Sequence, residues 1–270
     1  MTDKFESSNF IKLNNFSGGW IWLSQVDERI KKLIPYLETI SKEKLYEIWS
    51  MIGAEEKPWK PYAETEFCVL IKPLINFGIL LIFMKGDEEF PSELFVFYEK
   101  KSLDVPTEDA YVFTEIYLEF IRDMAKAKNI LIIDTIDLIS LGDYAEKHPD
   151  LEREKARHDI IGQRFEPLKF INRTTAKQIA DKLEVKFISE WTFENAVWVI
   201  KFKLFEDLSI TFVLYKDESS KLDMKIYYNA SVLKYDAHIV VHFSWLFLNA
   251  IIREGRKILG DKMPKISEYL

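Results

Sequence analysis

The strongest constraint on the fold is the order of elements between residues 67 and 124. Two short apolar runs, Phe67-Cys68-Val69-Leu70-Ile71 and Ile79-Leu80-Leu81-Ile82-Phe83-Met84, are separated by Pro73 and Asn76. Their β-branched and aromatic content at that length predicts neighbouring strands of a meander. Gly86-Asp87-Glu88-Glu89-Phe90-Pro91 then reads as a tight acidic turn leading into a third strand over residues 94–98. After Pro106, Thr107 is expected to cap a helix with Glu108 and Asp109 in its first turn. Phe113, Ile116, Tyr117, Phe120, Ile121 and Met124 form its apolar stripe.

The same order returns 130 residues later. Laid over each other without a gap, residues 66–126 and 196–256 share Val69/Val199, Leu74/Leu204, Asp87/Asp217, Glu88/Glu218, Tyr98/Tyr228, Leu103/Leu233, Phe113/Phe243, Leu118/Leu248 and Ile121/Ile251. These identities are sparse. The recurrence of capped helix, strands, acidic turn, strand and long helix in one order is the stronger signal of an internal repeat. A lone meander with one helix leaves a face or an edge uncovered, so two copies are expected to pack about a pseudo-twofold axis.

Elsewhere the periods predict helices over residues 26–38 and 41–52, the second capped by Ser41. The segment Trp20-Ile21-Trp22-Leu23 is expected to lie as an aromatic plug across the body of the fold. Residues 129–140 fit either strand or helix and are read as a link, followed by an exposed, charged helix over 144–164. Thr174 or Thr175 is expected to cap a helix reaching Leu183. Strands over 185–193, 197–205, 209–215 and 223–228, a helix over 237–259 and a tail from 263 complete the chain. The expected fold class is α+β, a tandem pseudo-symmetric repeat of antiparallel meander sheets with flanking helices. Its boundaries are 1–128 for the first repeat, 129–165 for the link and 166–270 for the second.

A chain of 270 residues with 48% hydrophobic content supplies one large core or two ordinary ones, which excludes a disordered chain. The net charge of -7 comes from interspersed lysines and glutamates, which argues against nucleic acid as a partner. Cys68 is the only cysteine, so an intrachain disulfide, a CxxC pair and a four-cysteine cluster are excluded, and a reducing cytoplasm is expected. The start has no apolar signal-like run, and the apolar stretch over 67–83 is broken by Lys72, Pro73 and Asn76, so no membrane span is expected. Three glutamines beside abundant Lys, Glu and Ile give a thermophile-like composition.

The turn Gly86-Asp87-Glu88-Glu89-Phe90-Pro91, the strand end Phe97-Tyr98 and the helix start Val105-Pro106-Thr107-Glu108-Asp109 resemble a family of unknown function found mainly in strictly anaerobic bacteria and archaea. Its members carry a Trp-x-Gly-Asp-Glu-Glu-Phe-Pro turn and a Leu-Pro-Thr-Glu-Asp helix start. Met84 stands here in place of the tryptophan, and in the second copy Lys216 replaces the glycine. Some relatives carry a four-cysteine iron-sulfur domain. The resemblance implies an anaerobe's accessory protein without its own cluster, and it implies no reaction.

For chemistry, His238 and His242 sit four apart at the start of the last helix, on one face with Trp245 and Asn249. The aligned first-copy residues, Glu108, Val112, Glu115 and Glu119, read as an ordinary solvated face. A metal would need Asp236, His158 or Asp217 to complete the two histidines, and the sequence has no HExxH-type context. A partly buried face, between the repeats or against a partner, is the favoured reading. Asp87, Glu88 and Glu89, with Asp217 and Glu218, are expected in exposed turns rather than as an acid/base pair. Asp134 and Asp137 are read as solvent-facing or capping, and Cys68 as an inert core thiol. No phosphate-cradling loop or hydrolase motif is present. The expected function is a non-catalytic accessory protein, without cofactor, that binds a partner protein through the last helix or an inter-repeat groove, with homodimerisation open. The alternative is a small-molecule or metal-binding protein or enzyme using that groove.

Overall fold

The computed structural model describes residues 5–127, 137–148, 151–191 and 195–267. The chain divides into two compact units, Met1–Leu131 and Ile132–Leu270. Each is α+β, an antiparallel five-stranded sheet flanked by helices.

The first unit runs β1 (Phe10–Ile11), α1 (Leu23–Leu37), α2 (Lys42–Met51), β2 (Glu55–Lys57), β3 (Thr65–Leu74), β4 (Phe77–Met84), β5 (Glu93–Glu99) and α3 (Thr107–Lys126). Its sheet order is β1-β5-β4-β3-β2. The second unit runs β6 (Leu138–Ser140), α4 (Leu141–Glu146), α5 (Arg153–Ile160), α6 (Phe165–Leu168), α7 (Arg173–Leu183), β7 (Lys186–Phe187), β8 (Asn195–Lys203), β9 (Ser209–Lys216), β10 (Leu222–Asn229) and α8 (Ala237–Leu259). Its order, β6-β10-β9-β8-β7, is the same plan.

The correspondence goes down to single contacts. Tyr98 on β5 and Tyr228 on β10 are fully buried, and their hydroxyls bond Thr114 (2.7 Å) and Ser244 (2.9 Å) on the long helix. The Thr114 and Ser244 hydroxyls in turn donate to the carbonyls one turn back, Ala110 and Val240, so each of these buried polar groups is satisfied. Phe16 packs edge-on against Tyr98, and Tyr144 packs against Tyr228. Ile11 faces Tyr98 across β1 and β5 as Ile139 faces Tyr228 across β6 and β10.

Sheet register corrects the gapless overlay. Tyr98 is opposite Ile79 and Ile79 is opposite Ile71; Tyr228 is opposite Ile210 and Ile210 opposite Phe202. The first two meander strands therefore correspond at a separation of 131, and the third at 130. The turn after β9 is one residue shorter than the turn after β4. A slip of one residue reverses the face, so Val69 points towards the helices and Val199 away from them. The residue that corresponds to Val69 is Ile200.

Other expectations are also corrected. Residues 137–148 and 151–164 do not form a link and one exposed helix: β6 pairs with β10, and Tyr144, Ala145, Ala156 and Ile160 are buried in the second unit. The link expected over residues 129–136 lies outside the described residues. Thr107 does not cap α3, since its hydroxyl donates to the Ser17 carbonyl, and α7 is capped by Asn172, whose Oδ1 accepts from the Thr175 N–H. Of the strand expected over 185–193, only Lys186–Phe187 forms among the described residues. Trp20 is 70% exposed rather than a plug, while Trp22 stacks on Tyr111 at 4.5 Å. Among the described residues, no helix is long and apolar enough to cross a membrane.

Candidate functional site

Asp236 places the start of α8, its Oδ1 accepting the His238 N–H at 2.8 Å. The helical repeat then brings His238 and His242 together, tilted at 54° with ring centroids 3.9 Å apart, and puts His242 within 5.9 Å of Trp245. His242 Nδ1 donates to the His238 carbonyl at 2.7 Å, which fixes its tautomer. His238 is exposed, and His242 and Trp245 are half-buried. Asn249 is not part of that surface. It is 2% exposed, and its Oδ1 accepts from Arg164 Nε at 2.6 Å.

Arg164 is the residue that the sequence reading missed. It lies over the Trp245 ring at 5.2 Å and donates also to the Asp159 and Ile160 carbonyls. In the first unit the same station is held by Arg29 of α1, ion-paired to Glu115 and, at 2.9 Å, to Glu119. Val112 and Glu115 are buried and Glu119 is half-buried, so of the face expected to be solvated Glu108 alone is exposed, and Glu115 and Glu119 form a half-buried ion-pair cluster with Arg29. The two arginines come from elements far from the long helix in sequence, and no local spacing announces them. In the second unit Trp245 and Asn249 replace the two carboxylates, so the arginine is held by a ring face and an amide.

The remaining candidates are dispersed. Asp217 caps an exposed turn, its Oδ1 accepting from Ser219 Oγ and from the Ser219 and Lys221 N–H groups. The Ser219 and Lys221 bonds hold its carboxyl below the usual range. Asp87 does the same in the first unit, with the Phe90 and Glu89 amides lowering its carboxyl. Glu88, Glu89 and Glu218 are exposed beside them. Gly86 is needed at this turn because a Cβ would meet the Phe90 carbonyl oxygen at 2.5 Å. His158 lies exposed on α5, Asp137 is exposed before β6, and Asp134 lies outside the described residues. Among the described residues, no group of three or more His, Cys, Asp or Glu side chains is placed to hold a metal ion. Cys68 is buried, and burial pushes its thiol up to about 11, the state of an unreactive core cysteine.

A buried polar cluster in the second unit is structural. Asp207 is ion-paired to Lys234 and accepts from Tyr235 Oη at 2.5 Å, while Asn229 Nδ2 donates to its carbonyl. It ties the β8–β9 connection to the turn before α8.

A family described as a domain of unknown function, DUF3786, matches residues 3–119. The match spans β1 to β5 and most of α3. No curated protein and no solved structure matches the chain.

Proposed function

We propose that this is a non-catalytic accessory protein that binds a partner protein through the first turns of α8, with His238, His242 and Trp245 as the contact surface and Asn249 and Arg164 as the support beneath. The supporting observation is the exchange between the units: an arginine neutralised by two carboxylates in one becomes an arginine over the ring of a part-exposed tryptophan, next to two imidazoles in contact, in the other. Aromatic and arginine side chains at a partly dry, uncharged spot are the composition of interaction hot spots. The second unit is, on this reading, a divergent copy of the family matched by the first. The anaerobic setting rests on the resemblance of the Gly86–Pro91 turn, the Phe97-Tyr98 strand end and the Val105–Asp109 helix start, and the cytoplasmic one also on Cys68 being the only cysteine.

The test is a photo-crosslinking residue at position 238 in cells of the source organism, with the exposed position Tyr46 as control. One protein crosslinked at 238, not at 46, and lost in Trp245→Ala is the expected result. Equal labelling at both positions contradicts it. Stoichiometric metal in the purified chain that disappears in His238→Ala/His242→Ala replaces the partner reading with a metal-binding one.

A further inference from the structure

One row of residues runs straight across the second sheet on the face away from the helices. Lys186 of β7 stands opposite Lys201 of β8, Lys201 opposite Thr211 of β9, Thr211 opposite Tyr227 of β10, and Tyr227 opposite Ser140 of β6. Directly opposed residues point to the same side of a sheet, so these five side chains line up on one face. Every one carries a hydrogen-bond donor, and none is a carboxylate.

The corresponding row of the first unit is built differently. Glu55, Leu70, Leu80 and Phe97 stand there on β2, β3, β4 and β5, and Glu55 is paired with Lys57. Between the units, an acid and three apolar residues are exchanged for two lysines, a threonine and a tyrosine.

Two lysines directly opposite one another repel, and Lys201 is half-buried, one strand in from the edge. Burial first, and then Lys186, hold its ammonium below the ordinary lysine range. Among the described residues neither ammonium is ion-paired: Asp223 on the same face is taken by Arg157 and Tyr215, and Glu206 is taken by Lys203. A lysine on the short edge strand guards against strand pairing, but that role gives no reason for a second one behind it. Thr211 beside it is also unspent. It is 2% exposed, and among the described residues its hydroxyl has no hydrogen-bond partner. Ser140 is occupied as the cap of α4, and Tyr227 lies against the Trp191 ring at 5.6 Å.

We propose that Lys186, Lys201 and Thr211 form a binding site for a phosphate group, either inorganic or carried as the monoester of a small organic molecule. Two ammonium groups match its charge of about −2 at neutral pH, and the threonine hydroxyl donates to a third oxygen. A carboxylate, with one charge and two oxygens, leaves part of this set unmatched. Neighbouring strands stand about 4.8 Å apart, and the long lysine stems close with the hydroxyl on one anion held between them. The Trp191 and Tyr227 rings stand further along the row, where the organic part of a monoester would rest. This site is separate from the α8 face, and either reading can fail alone.

The experiment titrates the full chain with inorganic phosphate, with phenyl phosphate and with acetate at matched ionic strength, read by calorimetry and by backbone amide shifts. Saturable phosphate binding that moves the Lys186, Lys201 and Thr211 amides is the expected result, about tenfold or more tighter than acetate. Lys201→Leu should weaken it by about tenfold or more, and Thr211→Val by about threefold or more. Lys216→Leu, which removes an exposed lysine at the end of β9 and off the row, should leave it unchanged, with circular dichroism confirming the fold of each variant. Tighter binding of phenyl phosphate than of inorganic phosphate assigns the site to a monoester, and equal or weaker binding assigns it to the free ion. The proposal is overturned if phosphate binds no more tightly than acetate or if the shifted amides lie elsewhere. It is equally overturned if Lys201→Leu has no effect, or if Lys216→Leu weakens binding as much, since general charge attraction then explains it.

Discussion

Leu70 and Lys201 occupy the same station in the two sheets, each on the first meander strand, β3 and β8, and each facing away from the helices. Leu70 is paired with Leu80 and packs in a cluster with Trp59, Cys68 and Ile82, covered by Phe5, Phe10, Phe95 and Phe97. Lys201 is paired with Thr211 on one side and with Lys186 on the other, on a face that also carries Lys225 and Tyr227. On the helix side the two sheets stay alike: Phe67, Val69 and Ile71 correspond to Trp198, Ile200 and Phe202, all buried. The helix-side pattern alone is therefore enough to hold strand order and register, and the opposite face and the edge are where the units diverge in chemistry.

The largest expected effect tests that division. Leu70→Lys places an uncompensated charge in a dry cluster and should cost on the order of 4 kcal/mol, lowering the unfolding midpoint of the first unit sharply. Lys201→Leu, at the same station, should change stability by less than about 1 kcal/mol and remove a like-charge pair with Lys186. Comparable losses at both sites would mean that the far faces are equivalent after all.

The arginines sharpen the comparison next. Arg29→Ala leaves Glu115 and Glu119 as neighbouring anions and should cost about 2 kcal/mol, whereas Arg164→Ala gives up a ring contact and an amide bond and should cost about 1 kcal/mol. Tyr98→Phe and Tyr228→Phe should then match each other, at about 1 kcal/mol each, because both remove one buried hydroxyl bond of the same geometry. The smallest effect is a pH dependence found in one unit alone. Burial first, and then Lys186, hold the Lys201 ammonium below its ordinary range. In the window just below the ordinary lysine pKa, the unfolded chain binds more protons at this site, so its contribution to stability rises as pH increases through that window. Lys201→Leu should flatten that rise in a pH series of unfolding midpoints.

Much of this was legible in the residues. The meander, the long helix after each third strand, the buried cysteine and the exposed acidic turns follow from period, turn chemistry and apolar runs. The start of the second unit was not, although Phe10-Ile11-x-Leu13-x-x-Phe16 and Leu138-Ile139-x-Leu141-x-x-Tyr144 share a pattern. A strand of two or three residues is too short for periodicity to show it. The helix caps went wrong where another partner prevailed: Asn172, two and three residues before the expected Thr174 or Thr175, caps α7 by accepting the Thr175 N–H, and Thr107 donates to the Ser17 carbonyl instead. Of the candidate site, the proximity of His238, His242 and Trp245 follows from helical spacing. The burial of Asn249 and the place of Arg164 depend on tertiary packing that no local pattern records.

The most direct measurement is residue-resolved amide exchange along β5 in the free chain. Alternation is the expected result, with Val96 exchanging about tenfold or more faster than Phe95 and Phe97, whose amides face β4, and faster than Met224, whose N–H is taken by Asp223. Uniformly slow exchange from Leu94 to Phe97 would contradict the account, because it would mean that the edge on which the two units differ is already closed.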